Sequence, residues 1–264
     1  MTLRSNLVKS RLAQGQVCRG VWLGLPDPFS VRLLAQLPVD WLLIDAEHSP
    51  IDAATLSLMV AAAAAGAGAP AYGPAPIVRL PDVTIENVKR ALDAGTFGLL
   101  APMINTARQA EDLVRWAKYP PQGQRSFGYA FAGLTFGGSM AEYLKVANQE
   151  TLLAIQVESK DALDNLDELF CVPGIDMAFV GPVDLSVSLG LDPLPENPHP
   201  LFQEALAEIQ AGARRHHMPL GIFCSSGAAA RRRIAEGFQF VNVASDLGSL
   251  TANVLRELQA SQLE

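Results

Sequence analysis

Apolar residues along this chain come in short runs of strand length, separated by stretches with helical spacing. Eight such runs lie near residues 17–24, 41–46, 76–80, 97–103, 152–158, 177–181, 219–224 and 238–244. Residues 84–94 place Ile85, Val88, Ala91 and Leu92 on one helical face and stop at Gly95, a residue suited to the end of a helix. Residues 106–117 open with Thr106 and Gln109, a capping-box pair, and put Ala110, Leu113, Val114 and Ala117 on the buried side. The same spacing predicts helices over 161–169, 202–214 and 247–258, the last with Leu247, Leu250, Val254, Leu255 and Leu258 on it. Eight alternations of strand and helix in one domain over 1–264 predict an α/β fold of the (β/α)₈ TIM-barrel type. A doubly wound open sheet is the rival. It would have fewer strands and a glycine-rich fingerprint after the first, and neither G-x-G-x-x-G nor a P-loop pattern is present.

Two segments break the rhythm. Residues 61–76 are an Ala/Gly/Pro tract, read as a helix end running into a surface loop. Residues 120–140 contain Gly123, Gly128, Gly133, Gly137 and Gly138 and form a long irregular crossover between the fourth and fifth strands. Loops of that length inside a domain are usually functional. The pattern leaves open which end of the barrel it occupies.

Composition narrows the function. Of the 264 residues 49% are hydrophobic and 18% charged, enough for a large core, and the net charge of −7 excludes a binder of nucleic-acid backbones. The basic run Arg231–Arg233 reads as a solvated helix face. Cys18, Cys171 and Cys224 form no CxxC framework, which suits a reducing cytoplasm. The first residues lack the apolar core of a signal peptide, and the longest apolar stretch, 58–71, is too short to span a membrane.

The chemistry concentrates where strands end. Trp-Leu-Leu-Ile runs into Asp45, Glu47 and His48; other strands end on Arg79, Glu158 and Asp184. Charge delivered by several strands to one end describes a site at the mouth of a parallel barrel. Glu158 and Asp184 could together hold a hard divalent cation, which needs few protein carboxylates. Equally, Glu158 could be an ion-pair partner and Asp184 a helix N-terminal residue that stabilises the dipole. The absence of a second His or a Cys beside His48 argues against zinc.

Asp-Ala-Glu-His (45–48), Val-Arg (78–79), Leu-Ala-Pro-Met-Ile-Asn-Thr (100–106), Tyr-Pro-Pro-Gln-Gly-Gln-Arg-Ser (119–126), Ile-Gln-Val-Glu-Ser (155–159) and Phe-Val-Gly-Pro-Val-Asp-Leu-Ser (179–186) resemble the HpcH/HpaI aldolase family. The resemblance runs in order from about Val21 to Asp246. It implies a class II pyruvate aldolase, similar to 4-hydroxy-2-oxoheptanedioate and 2-dehydro-3-deoxyglucarate aldolases. Such an enzyme reversibly cleaves a 4-hydroxy-2-oxo acid to pyruvate and an aldehyde through a metal-stabilised enolate. On this resemblance Glu158 and Asp184 bind Mg²⁺ or Mn²⁺, with Co²⁺ a third choice, and Arg79 donates to the oxygen where charge develops. Gln156, on the same strand face as Glu158, contacts substrate, and the backbone N–H groups of Val183 and Asp184 receive its carboxylate. His48 is the base that takes the 4-hydroxyl proton, with Asp45 orienting its ring and Glu47 holding water beside the cation. Trp22 lines the site or fills the core; Arg125 meets an acidic aldehyde or anchors the crossover.

Asp93 stands apart. It closes a helix, so a barrel puts it on the face opposite its own His48, yet the resemblance assigns it to raising the basicity of that base. Both hold only if Asp93 enters a neighbouring subunit's site, which implies a homo-oligomer, a hexamer with exchanged C-terminal helices. His199, His216 and His217 read as surface residues. Two other functions compete. A citryl-CoA lyase-like carbon–carbon lyase would need a basic CoA surface that this acidic chain lacks. A phosphosugar isomerase or epimerase would cradle phosphate at 225–227 and 245–249, but leaves Glu158 and Asp184 without a task.

Overall fold

The computed structural model describes residues 3–66, 73–128 and 131–262. Its eight strands are β1 (Cys18–Leu23), β2 (Trp41–Asp45), β3 (Ala75–Arg79), β4 (Gly98–Ala101), β5 (Leu152–Val157), β6 (Met177–Val180), β7 (Leu220–Ile222) and β8 (Phe240–Ser245). Each pairs in parallel with the next, and β8 closes on β1, so the predicted barrel is the observed one. Period two divides the strand side chains. Val21, Leu42, Ile44, Val78, Leu99, Leu153 and Val180 pack outward against the helices, while Trp41, Leu43, Ile77, Leu100, Phe179 and Phe240 fill the interior. Trp41 stacks on Phe240 with ring centroids 4.0 Å apart and planes 5° from parallel. That ring occupies the space a side chain at Gly20 would need: a Cβ there would lie 2.0 Å from it.

Helices surround this core. They are α1 (Leu7–Ala13), α2 (Pro28–Leu34), α3 (Ala53–Ala64), α4 (Ile85–Asp93), α5 (Ala107–Ala117), α6 (Ala132–Thr135), α7 (Met140–Glu150), α8 (Lys160–Asp164), α9 (Leu166–Phe170), α10 (Pro182–Ser188), α11 (Pro200–His216), α12 (Gly227–Ala235) and α13 (Asp246–Ala260). The Thr106–Gln109 capping box is present as read, and Ser139 with Glu142 forms a second. The helix expected over 161–169 is instead two, broken at Asn165, whose amide turns away to donate to Asn105 O at 2.9 Å. The tract at 61–76 divides: α3 runs to Ala64 and β3 already starts at Ala75, while 67–72 lie outside the described residues.

The 120–140 crossover follows α5 and feeds α7 and β5, which sets it at the N-terminal end of the barrel, away from the strand-end charges. It includes a cis Pro120–Pro121 bond and α6, and Phe136 stacks on Phe97 at 4.0 Å. Arg125 is its anchor: the guanidinium is buried and donates to Asp93 Oδ1 and to the Tyr143 hydroxyl, both at 2.9 Å. At the other end of the molecule α13 buries only Asp246. Leu247, Leu250, Val254, Leu255 and Leu258 stay 48–58% exposed, so the C-terminal helix leaves about half of their surface uncovered. Among the described residues no helix is long and apolar enough to cross a membrane.

Candidate active site

The C-terminal ends of the strands surround a cavity of about 430 Å³. Trp22, Asp45, His48, Arg79, Gln156, Val183 and Asp184 line it, so seven of the residues singled out by sequence converge there. Glu158 is outside that lining but hydrogen-bonded to Gln156, and Asp93 is on the opposite face with Arg125.

Arg79, the last residue of β3, is the most constrained group. Asp45, its register partner on β2, accepts from Arg79 Nε at 2.9 Å and from Nη2 at 2.6 Å in a bidentate pair. Glu47 Oε2 stands 2.8 Å from Nη1, and the guanidinium lies 4.8 Å from the Trp22 ring centroid. Trp22 Nε1 donates to Asp45 Oδ2 at 3.2 Å. Two guanidinium N–H groups are hydrogen-bonded to Asp45, and Glu47 adds its charge beside Nη1 without a hydrogen bond among the described residues. Burial raises the Asp45 carboxyl, but the Arg79 pairing outweighs it and holds Asp45 below the ordinary carboxylate range.

This corrects one expectation. Asp45 makes no hydrogen bond to the His48 imidazole: among the described residues, beyond Arg79 and Trp22, it accepts only from the backbone N–H groups of Glu47 and His48, at 3.1 and 3.3 Å. The His48 ring is 64% exposed, with Glu47 Oε2 at 3.8 Å. Within one chain it reaches the cavity without a positioning partner at hydrogen-bond distance among the described residues.

Glu158, just past β5, is 3% exposed. It accepts from Met103 N at 2.7 Å and from Gln156 Nε2 at 2.6 Å. Burial, reinforced by the charges of Asp184 and Glu47 and opposed by the Met103 N–H, pushes its carboxyl up to about 7. Glu47 is likewise raised, first by burial. A mouth with three carboxylates pressing on one another favours a cation. Among the described residues no set of three His, Cys, Asp or Glu forms a ready metal cage; the available donors are Glu158 and the exposed Asp184. Gly181 leaves room for this arrangement, since a Cβ there would stand 2.3 Å from Glu158 Oε2. Gln156 Oε1 is buried without a hydrogen-bond partner among the described residues.

Four contributors carry no signal of their role in the sequence. Met103 adopts a left-handed backbone (φ 51°) that aims its N–H at Glu158; its place in the Pro-Met segment gave no signal of this. Asp246 is a buried carboxylate that accepts from Gly24 N and Leu25 N at 2.9 Å and from Leu247 N at 2.7 Å, tying the start of α13 to the β1 loop. Phe223 and Leu247 supply an apolar wall opposite the carboxylates. Their hydrophobicity alone could not distinguish them from core.

Barrel and mouth together place one buried arginine among carboxylates at the C-terminal ends of the strands, where parallel barrels carry their active sites. The HpcH/HpaI aldolase/citrate lyase family model matches residues 19–252. The chain is 39% identical to a hydroxypyruvate/pyruvate aldolase of Pseudomonas aeruginosa over 98% of its length and 93% of that protein. It is 37% identical to a 5-keto-4-deoxy-D-glucarate aldolase of Klebsiella pneumoniae over 92% of its length and 91% of that protein. A crystal structure of an HpcH/HpaI aldolase/citrate lyase family protein from Burkholderia cenocepacia superposes with a TM-score of 0.89 at 33% identity, covering 97% and 99% of the two chains. The chain belongs to the HpcH/HpaI aldolase/citrate lyase family and is a carbon–carbon lyase.

Proposed function

We propose that this protein is a divalent-metal-dependent pyruvate aldolase that reversibly splits a 4-hydroxy-2-oxo acid into pyruvate, or hydroxypyruvate, and an aldehyde. The observation that bears most weight is Arg79, locked by its bidentate pair with Asp45 and flanked by Glu47, with guanidinium N–H groups left over at a carboxylate-lined mouth. Glu158 and Asp184 would hold Mg²⁺ or Mn²⁺, with Co²⁺ a third choice, because oxygen donors of this kind suit hard cations that keep several waters. When bound, such a cation supplies Lewis-acid stabilisation of charge on the 2-oxo oxygen.

The chain's own groups do the rest. Arg79 donates to the same oxygen without reorganising, which is where preorganised donors gain most. The substrate carboxylate lies against the first turn of α10, where Gly181 leaves the N–H groups of Val183 and Asp184 without a side-chain cap. Gln156 contacts the pyruvyl half, and Trp22 walls it with Phe179 and Phe223. His48 takes the 4-hydroxyl proton in cleavage and returns it in condensation. Its missing orienting partner is Asp93 of a neighbouring subunit, and the uncovered leucines of α13 support helix exchange in a homohexamer. The acidic surface and unpaired thiols favour a cytoplasmic location.

Phosphosugar chemistry fits poorly. Ser226 Oγ and Ser245 Oγ cap α12 and α13, and the Asp246 carboxylate already takes the N–H groups of Gly24, Leu25 and Leu247. A phosphate would meet an anion at that corner. Titration with Mn²⁺, read by its paramagnetic resonance, tests the ligand set. Glu158→Ala and Asp184→Ala should each weaken binding by more than tenfold and abolish condensation of pyruvate with aldehydes; undiminished Mn²⁺ affinity in both would refute the assignment.

A further inference from the structure

The N-terminal face of the barrel holds a second open cavity, of about 820 Å³, among α1, α9, α11 and the starts of β7 and β8. On its rim Cys171, which ends α9, has its Sγ 3.4 Å from His216 Nδ1 at the end of α11. The other ring nitrogen, Nε2, is 2.8 Å from Asp167 Oδ1, and Arg215 bonds the same oxygen at 2.6 Å. Phe170 meets the ring edge-on, with centroids 6.3 Å apart. With the carboxylate accepting the Nε2 proton, the basic Nδ1 faces the thiol. Nucleophile, base and orienting carboxylate therefore stand in sequence.

The other thiols behave differently. Cys18 and Cys224 are buried, and burial pushes each up to about 12, whereas Cys171 is exposed at a cavity large enough for a small molecule. Charge around the cavity indicates what would enter. Asp176 is matched by Lys9 at 2.9 Å and Glu236 by Arg233 at 2.8 Å. Arg214 lines the cavity with no ion-pair partner among the described residues.

We propose that Cys171 is a nucleophilic thiol that undergoes exchange with small anionic disulfides, with Arg214 receiving their carboxylate. The thiol proton moves to His216 Nδ1, and Sγ attacks one sulfur of the disulfide. That disulfide bond breaks as the new one forms, and the departing thiolate carries the displaced electron pair and can recover the proton from His216. The products are a mixed disulfide on Cys171 and one free thiol; the disulfide itself is the only oxidant consumed.

The test uses the full-length protein and a bis-carboxylated nitrophenyl disulfide, whose released thiolate is coloured. One thiol per chain should react about tenfold faster than glutathione at neutral pH, the gain expected from a thiol with an oriented base within reach of its proton. Cys171→Ser should abolish that phase and leave lyase activity unchanged. His216→Ala should slow it about tenfold, and Asp167→Asn probes the same relay without disturbing the Phe170 contact. Arg214→Ala should slow the anionic reagent but not a neutral pyridyl disulfide. A rate equal to that of glutathione, unaltered in both relay variants, would overturn the proposal. Equal sensitivity of both reagents to Arg214→Ala would overturn the ligand class.

Discussion

At the scale of single residues, the mouth turns on the buried Arg79 guanidinium, which the Asp45 carboxylate holds through two hydrogen bonds. Asp45, His48, Arg79, Glu158 and Asp184 are recognisable because polar groups ending apolar strands have few structural reasons to be there. The partner of Asp45 was beyond reach, because Arg79 is 34 positions away in sequence and adjacent only through β2–β3 register. The correction changes what a mutation should do. Asp45→Asn weakens the clamp on Arg79, so the exchange of pyruvate methyl protons and carbon–carbon cleavage should fall together, by about 10- to 100-fold. A loss confined to cleavage would return Asp45 to the service of His48. Asp45→Ala is harsher: it leaves a buried guanidinium short of an anion, with a stability cost on the order of 3–5 kcal/mol measurable by denaturant unfolding.

Elements were legible wherever the period was clean. All eight strands and the capped α4 and α5 lie within a few residues of their predicted spans, since buried parallel strands and capping boxes are local signals. The crossover was opaque for the opposite reason. Its order comes from distant contacts: Phe136 on Phe97, Arg125 on Asp93, and Lys118, which donates to Thr151 O at 3.4 Å and to Asn148 O. Burial lowers the Lys118 ammonium to about 8. Below that pH its charge is penalised in the fold; as pH rises from about 8 towards the unfolded value near 10.5, the native state holds fewer protons than the unfolded one and stability increases. Wild type should therefore gain on the order of 1–2 kcal/mol over Lys118→Met between pH 7.5 and 9.5, read as the difference in chemical unfolding. A difference independent of pH would mean that Lys118 is already neutral or well hydrated.

At the scale of the molecule, the proposed shared site rests on surfaces: no described residue stands at hydrogen-bond distance from the His48 ring, the leucines of α13 are about half exposed, and Asp93, paired with Arg125, lies on the opposite face. The barrel itself was readable from eight alternations, but assembly is written in surfaces, where a leucine awaiting a partner and a leucine packed in cis look alike. Subunit mixing separates them. His48→Ala and Asp93→Asn should each be impaired alone, and co-refolded oligomers should regain activity, because some sites then combine an intact His48 with an intact Asp93. No recovery in demonstrably mixed oligomers would reject the shared site.

The central claim is that the mouth generates the enolate of pyruvate with the help of a divalent cation, whatever aldehyde follows. Proton NMR of pyruvate in D₂O with the protein and Mg²⁺ reads this directly, without knowledge of the second substrate. The methyl signal should be lost progressively, and both chelation and Glu158→Ala should abolish that loss. Methyl exchange that continues at full rate after thorough chelation, or none at all with pyruvate and Mg²⁺ both bound, would contradict it.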